Sequence, residues 1–161
     1  MSERLSKAPR ESYVEMIQQV LPGDTNPLGT VFGGKVMMWI DTAGAVAAMR
    51  HVRGNVVTAS IDKVDFHASG HVGDIMVLKS KVTYTGRTSL EVSVEVLAEN
   101  PRTGKRQLTT DAFLTFVAID ENHRPIEVPE LIPETEEEQR NFAQGKARRE
   151  ARKKAEKMQA G

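Results

Sequence analysis

The sequence predicts an α+β fold, an antiparallel β-sheet wrapped around one long central α-helix, with a polar C-terminal helix after it. Three observations carry this expectation. Residues 33–50, GGKVMMWIDTAGAVAAMR, are rich in Ala and Met and apolar on nearly every face, the pattern of a helix covered on all sides. Four β-rich runs follow, at 56–67, 74–84, 88–99 and 106–120, and they supply the wrapper. Residues 134–158 are polar and segregate their charges, with Glu134, Glu136, Glu137 and Glu138 ahead of Lys146, Arg148, Arg149, Arg152, Lys153, Lys154 and Lys157. That order matches the dipole of a helix.

Taken in order, the polar residues 1–11 predict a disordered N-terminus. Residues 12–21, SYVEMIQQVL, fit strand or short helix because neither period is clean, and strand is the preferred reading. GDTNPLGT is turn chemistry leading into the helix. In the run 88–99, Leu90, Val92, Val94 and Val96 alternate with Glu91, Ser93 and Glu95, the period of a half-buried strand. The separators SGHVG, TGR and ENPRTG are short, so consecutive strands are expected to pair antiparallel. PIEVPELIPE ends the sheet in an extended connection. The expected division is therefore 1–11 disordered, 12–133 a wrapped-sheet domain and 134–161 a charged helical tail.

Composition removes several function classes. Lys+Arg and Asp+Glu balance at 22 each, which argues against a nucleic-acid-binding protein. The 161 residues contain no Cys, which excludes disulfides, thiol nucleophiles and Cys-based zinc sites and suits a reducing cytoplasm. The opening MSERLSKAPRES has no apolar stretch, and the longest apolar run is broken by Asp41 and Thr42. Neither a secretory signal nor a membrane span is expected. Gly29–Val36 fits G-x-x-x-x-G-K but places Val36 where a phosphate loop needs Ser or Thr for magnesium, and no βαβ alternation surrounds it. Its glycines still suit close backbone approach to a ligand at a helix N-terminus.

Asp41 is the residue that asks for chemistry. Lys35 lies about 240° away around the helix axis and cannot pair with it. A carboxylate in a covered helix is costly unless it faces a solvated groove, caps backbone, or serves as base or nucleophile. Asn26 reads as a turn residue and Thr58 as a β-branched strand residue. No Ser lies in a G-x-S-x-G elbow, which excludes an α/β-hydrolase triad. His67 and His71 sit in a Gly-containing turn and His51 and His123 at a helix end and in a loop, so no metal site is expected.

Five separated motifs, DTNPLGTVFGGKVMMWIDTAGAVAAMRH, VVTASIDKVDF, VGD, GRTSLEVSVEV and DAFLTFVAID with a later VP, resemble the hotdog-fold acyl-CoA thioesterases over residues 12–130. The resemblance implies hydrolysis of acyl-CoA to free acid and coenzyme A, which is substrate and product, so no cofactor is implied. It places the catalytic Asp on Asp41 and the loop Asn on Asn26, the two facing one thioester from different protomers of a dimer, and it marks Thr58. Coenzyme A contacts fall on Ala59, Ser60 and Ile61, on Arg87, Thr88, Ser89 and Leu90, and on Arg148 and Arg149. Family members commonly assemble dimers into trimers. Gly34 at the helix start is then the candidate oxyanion donor. HASGHVGD lacks the Pro many relatives carry after the motif ending in Phe66.

Two rivals remain at this level. A non-catalytic acyl-CoA sensor that controls transcription would add a helix-turn-helix, for which residues 1–11 are too few. A dehydratase on the same scaffold would want a His beside the central helix.

Overall fold

The computed structural model describes residues 3–161. The main sheet has five strands, β2 (Val14–Gln19), β4 (Ile75–Thr85), β5 (Ser89–Glu99), β6 (Arg106–Ile119) and β3 (Asn55–Phe66), in that spatial order and antiparallel throughout. It wraps the helix α1 (Gly33–Val52), and the helix α2 (Glu136–Gln159) packs over strand β4. Two short strands, β1 (Ser6–Lys7) and β7 (Glu130–Leu131), pair parallel outside the main sheet.

The alternation in β5 does what its period predicts: Leu90, Val92, Val94 and Val96 are buried and meet α1 in the core with Leu78, Leu114 and Phe116. Helix α1 buries Val36, Trp39, Ile40, Ala43, Gly44, Ala47, Ala48 and His51, a stripe with helical spacing, and stops where Arg53 turns left-handed at φ 56°. Within one chain the helix is not covered all round. Met38, Thr42 and Met49 are exposed on its other side because the sheet wraps only one face.

Three further expectations give way to the structure. Consecutive strands pair at β4–β5 and β5–β6, but β3 pairs with β6 at the far edge of the sheet. Residues 67–74 thus carry the chain past two intervening strands, held by the Val31 N–H on the Gly70 carbonyl (3.0 Å) and the Val20 N–H on the Asp74 carbonyl (2.9 Å). The opening segment is also tied down rather than loose. Beyond the β1–β7 pairing, Arg4 donates to the Val128 and Gly86 carbonyls, and Ala8 and Pro9 are buried at a turn of 3₁₀ helix, Pro9–Glu11. The Pro-rich connection likewise forms strand at β7 instead of remaining merely extended.

Helix α2 starts at Thr135, whose hydroxyl accepts the Glu138 N–H at 3.1 Å, with three Glu in its first turn. It is docked, not free. Phe142 meets Tyr84 edge-on with ring centroids 4.9 Å apart, and at Gly145 a Cβ would lie 2.8 Å from the Tyr84 Cβ. Arg148 forms a bidentate pair with Glu91 (2.7 and 3.0 Å) and lies 3.7 Å over the Phe113 ring, while Arg152 pairs with Asp62. Glu91, outward-facing by its strand period, is therefore only 3% exposed.

Candidate active site

Asp41 lies half-buried on α1, at the border between its covered stripe and its open side. Strand β3 brings Thr58 to it, and the Thr58 hydroxyl donates to Asp41 Oδ1 at 2.8 Å. The ladder between β3 and β6 slips just here: Thr58 pairs with Phe116 and Ser60 with Thr115, leaving Ala59 as an extra residue. A bulge re-aims the neighbouring side chain, which is how a strand residue comes to reach a helix carboxylate. The Asp41 Oδ2 atom has no hydrogen-bond partner among the described residues.

The N-terminus of α1 is shaped by the loop before it. Asp24 accepts the Phe32 N–H on its carbonyl (2.9 Å), and its carboxylate lies 3.3 Å from the Lys35 ammonium. Lys35 and Val36 donate to the Phe32 carbonyl, but the Gly33 and Gly34 N–H groups have no backbone acceptor among the described residues. They point out of the positive end of the helix dipole, where a developing oxyanion is stabilised. A Cβ on Gly34 would lie 2.5 Å from Cε1 of Phe32, so only glycine lets this aromatic ring, 60% exposed, rest against the helix start.

Asn26 sits in the same loop, folded onto it. Its Oδ1 accepts the N–H groups of Leu28 (3.0 Å) and Thr30 (3.2 Å), and its Nδ2 donates to the Thr30 hydroxyl (2.8 Å). No hydrogen bond links Asn26 to Asp41 within the described residues of one chain.

The residues matched to coenzyme A divide into reachable and unreachable side chains. Ala59, Ile61 and Arg87 are exposed, and Thr88 and Ser89 half-buried. Leu90 is 1% exposed in the core and the Ser60 hydroxyl is fully buried, so neither side chain is available to a ligand. Thr58, Phe116, Leu90 and Thr85 are register partners across four strands, a direct line from the carboxylate to the β4–β5 turn. The two tail arginines separate. Arg148 is engaged by Glu91, whereas Arg149 lies against Gly86 in that turn. Consecutive helical residues point about 100° apart, which sends one inward and the other to the turn. Of the histidines, His67 lies 3.2 Å from Asp111 and His71 3.8 Å from Asp74, and no cluster with metal-ligand character occurs among the described residues. His51 was missed as a core residue: it is fully buried, with Nε2 2.7 Å from the Pro129 carbonyl.

A sheet wrapped around a central helix, with a half-buried carboxylate on that helix meeting a strand hydroxyl, is the arrangement of a hotdog-fold protein. The chain belongs to the thioesterase superfamily, whose sequence pattern matches residues 28–105. It is 47% identical over 129 residues to an uncharacterized acyl-CoA thioester hydrolase of Bacillus subtilis, covering 80% of this chain and 75% of that protein. An apo-hexameric acyl-CoA thioesterase superposes with a TM-score of 0.90 at 51% identity, covering 94% of this chain and 97% of that one. The acyl-CoA hydrolase of Staphylococcus aureus, solved with butyryl coenzyme A and coenzyme A, gives a TM-score of 0.87 at 37% identity, covering 96% of each chain. Alanine variants of that hydrolase exist at an asparagine, an aspartate and a threonine 15 and 17 residues apart, the same separations as Asn26, Asp41 and Thr58. Some relatives are much longer: the chain spans 36% of the cytosolic acyl coenzyme A thioester hydrolase of Rattus norvegicus, at 35% identity over 139 residues.

Proposed function

We propose that the protein hydrolyses acyl-CoA thioesters to free carboxylic acid and coenzyme A, with Asp41 as the reacting carboxylate. The observation that carries this reading is the Thr58–Asp41 hydrogen bond of 2.8 Å on a half-buried helix carboxylate, in a chain whose relatives are named for this reaction. Thr58 occupies Oδ1 and orients the carboxylate, leaving Oδ2 for the reaction. Acting as general base, Oδ2 takes a proton from water as the water oxygen bonds to the thioester carbon. The carbonyl oxygen becomes an oxyanion facing the Gly34 N–H, and collapse expels the coenzyme A thiolate, which recovers the proton from Asp41. Acting as nucleophile, the same oxygen bonds to the carbon as the C–S bond breaks and the coenzyme A thiolate leaves, giving a mixed anhydride that water opens to the free acid and the regenerated Asp41 carboxylate.

Asn26 completes the site from a partner protomer, a reading supported by the absence of any Asn26–Asp41 hydrogen bond among the described residues of one chain. The self-associated unit is a dimer, assembled as a trimer of dimers, in line with the hexameric relative. Coenzyme A extends from Thr58 along the backbone of Ala59, Ser60 and Ile61 and past Thr88 and Ser89 to Arg87 and Arg149. No cofactor takes part. The absence of Cys suits a cytoplasmic setting.

The test is thiol release from acyl-CoA across chain lengths, with Asp41→Ala beside the parent. Loss of the base lowers kcat about 10²- to 10⁴-fold, while coenzyme A binding by calorimetry and the melting temperature persist. Turnover in Asp41→Ala equal to the parent's would overturn the assignment. Binding of acyl-CoA without turnover by the parent would leave an acyl-CoA-binding protein instead.

A further inference from the structure

Three segments far apart in sequence meet at the turn between β4 and β5. The turn closes through the Gly86 N–H on the Ser89 carbonyl at 2.8 Å. From the N-terminal segment, Arg4 donates through Nη2 to the Gly86 carbonyl (2.6 Å) and through Nε to the Val128 carbonyl (2.9 Å). Val128 donates its own N–H to the Arg87 carbonyl at 2.8 Å, so the same guanidinium braces both ends of one short path. From α2, Arg149 approaches so closely that a Cβ on Gly86 would overlap its guanidinium. Arg4 and Arg149 thus meet at a turn that itself carries Arg87, and among the described residues none of the three forms an ion pair. Glu3 and Glu127 line a pocket with Arg4 but, among the described residues, pair with none of these cations, which leaves the guanidinium groups at the turn open to an arriving phosphate.

We propose that Arg4 is a positioning residue for substrate binding. Its two-nitrogen fork holds the Gly86 and Val128 carbonyls in fixed relation, and this sets the turn that carries Arg87 and abuts Arg149, the two arginines that face the phosphates of coenzyme A. The proposal rests on the reading that this turn receives the nucleotide end of the substrate. Lysine keeps the charge but offers one nitrogen on a flexible stem, so it does not reproduce a planar fork on two acceptors.

Steady-state kinetics of Arg4→Gln, Arg4→Lys and Arg149→Gln test it, with an acyl-CoA and the matching acyl-pantetheine, which lacks the nucleotide. Arg4→Gln raises KM for acyl-CoA about tenfold, the scale of losing a well-placed charged contact, leaves kcat unchanged, and leaves KM for acyl-pantetheine unchanged. Arg4→Lys behaves like Arg4→Gln. Lysine restoring the parental KM would mean that Arg4 acts as a charge, and a parallel rise for acyl-pantetheine would mean a general structural role. Either result overturns the proposal. If Arg149→Gln raises KM and Arg4→Gln does not, Arg4 has no positioning role while the substrate reading stands. If neither variant changes KM for acyl-CoA, the turn does not receive coenzyme A and the reading beneath the proposal fails with it.

Discussion

His51 shows how a single side chain ties stability to pH. Its ring is fully buried near the end of α1, Nε2 donates to the Pro129 carbonyl at 2.7 Å, and Nδ1 is buried with no partner among the described residues. Burial is the main force pushing its pKa below the ordinary 6.5, opposed by the bond to Pro129; Lys7 and Arg4 push it further down and Glu11 pushes it up. The folded chain therefore keeps this imidazole neutral at pH values where the unfolded chain has already protonated it. Stability is unaffected well above pH 6.5 and falls as pH drops below it, towards the lower folded pKa. Thermal melts between pH 7.5 and 5 (roughly the range where histidine titrates) should show a falling Tm. In His51→Gln, which keeps an N–H donor for the Pro129 carbonyl, that fall should be smaller. Equal slopes would assign the acid sensitivity to other groups.

At the scale of elements, α2 is held in part by the ion pair of Arg148 with the buried Glu91. Glu91 accepts from both Arg148 and the Thr83 hydroxyl (2.7 Å), and removing one partner of such a pair leaves the other uncompensated. Glu91→Leu or Arg148→Met alone should each cost about 3 kcal/mol in urea-unfolding free energy, and the double variant should recover much of it. Full additivity of the two losses would show that the pair is not coupled. These elements also show what the sequence makes legible. Strand β5 and helix α1 announce themselves because alternation and Ala/Met content are local properties, and four strands lie within two residues of their expected ends. The placement of β3 beside β6 is not legible, because antiparallel pairing of distant strands leaves no mark in either. Glu91 looks like any outward carboxylate until α2 covers it, and Leu90 and Ser60 matched a ligand stretch by position while their side chains turn inward. Asp41 was legible as a carboxylate out of place. Its contact with Thr58, 17 residues on, depends on a bulge that neither residue encodes alone.

The molecule as a whole is unfinished as a single chain. Strand β3 is an edge strand of 12 residues whose outer backbone groups have no partner strand among the described residues, and beside it the open face of α1 exposes Met38 and Met49 together with Phe32 and Val57. An edge of this length with an apolar flank favours closure by another copy of the chain. On the proposed function, closure also supplies Asn26 to the Asp41 of the partner. This arrangement predicts complementation. Asn26→Ala and Asp41→Ala are each inactive alone, but a mixed dimer has one site built from the intact Asn26 of one chain and the intact Asp41 of the other. The second site carries both losses. Random pairing of equal amounts makes half of the dimers mixed, so co-refolded variants should regain about one quarter of parental thiol release, and mixing without subunit exchange should regain none. A site contained in one chain would give no recovery under either condition, and would remove the partner from the reaction.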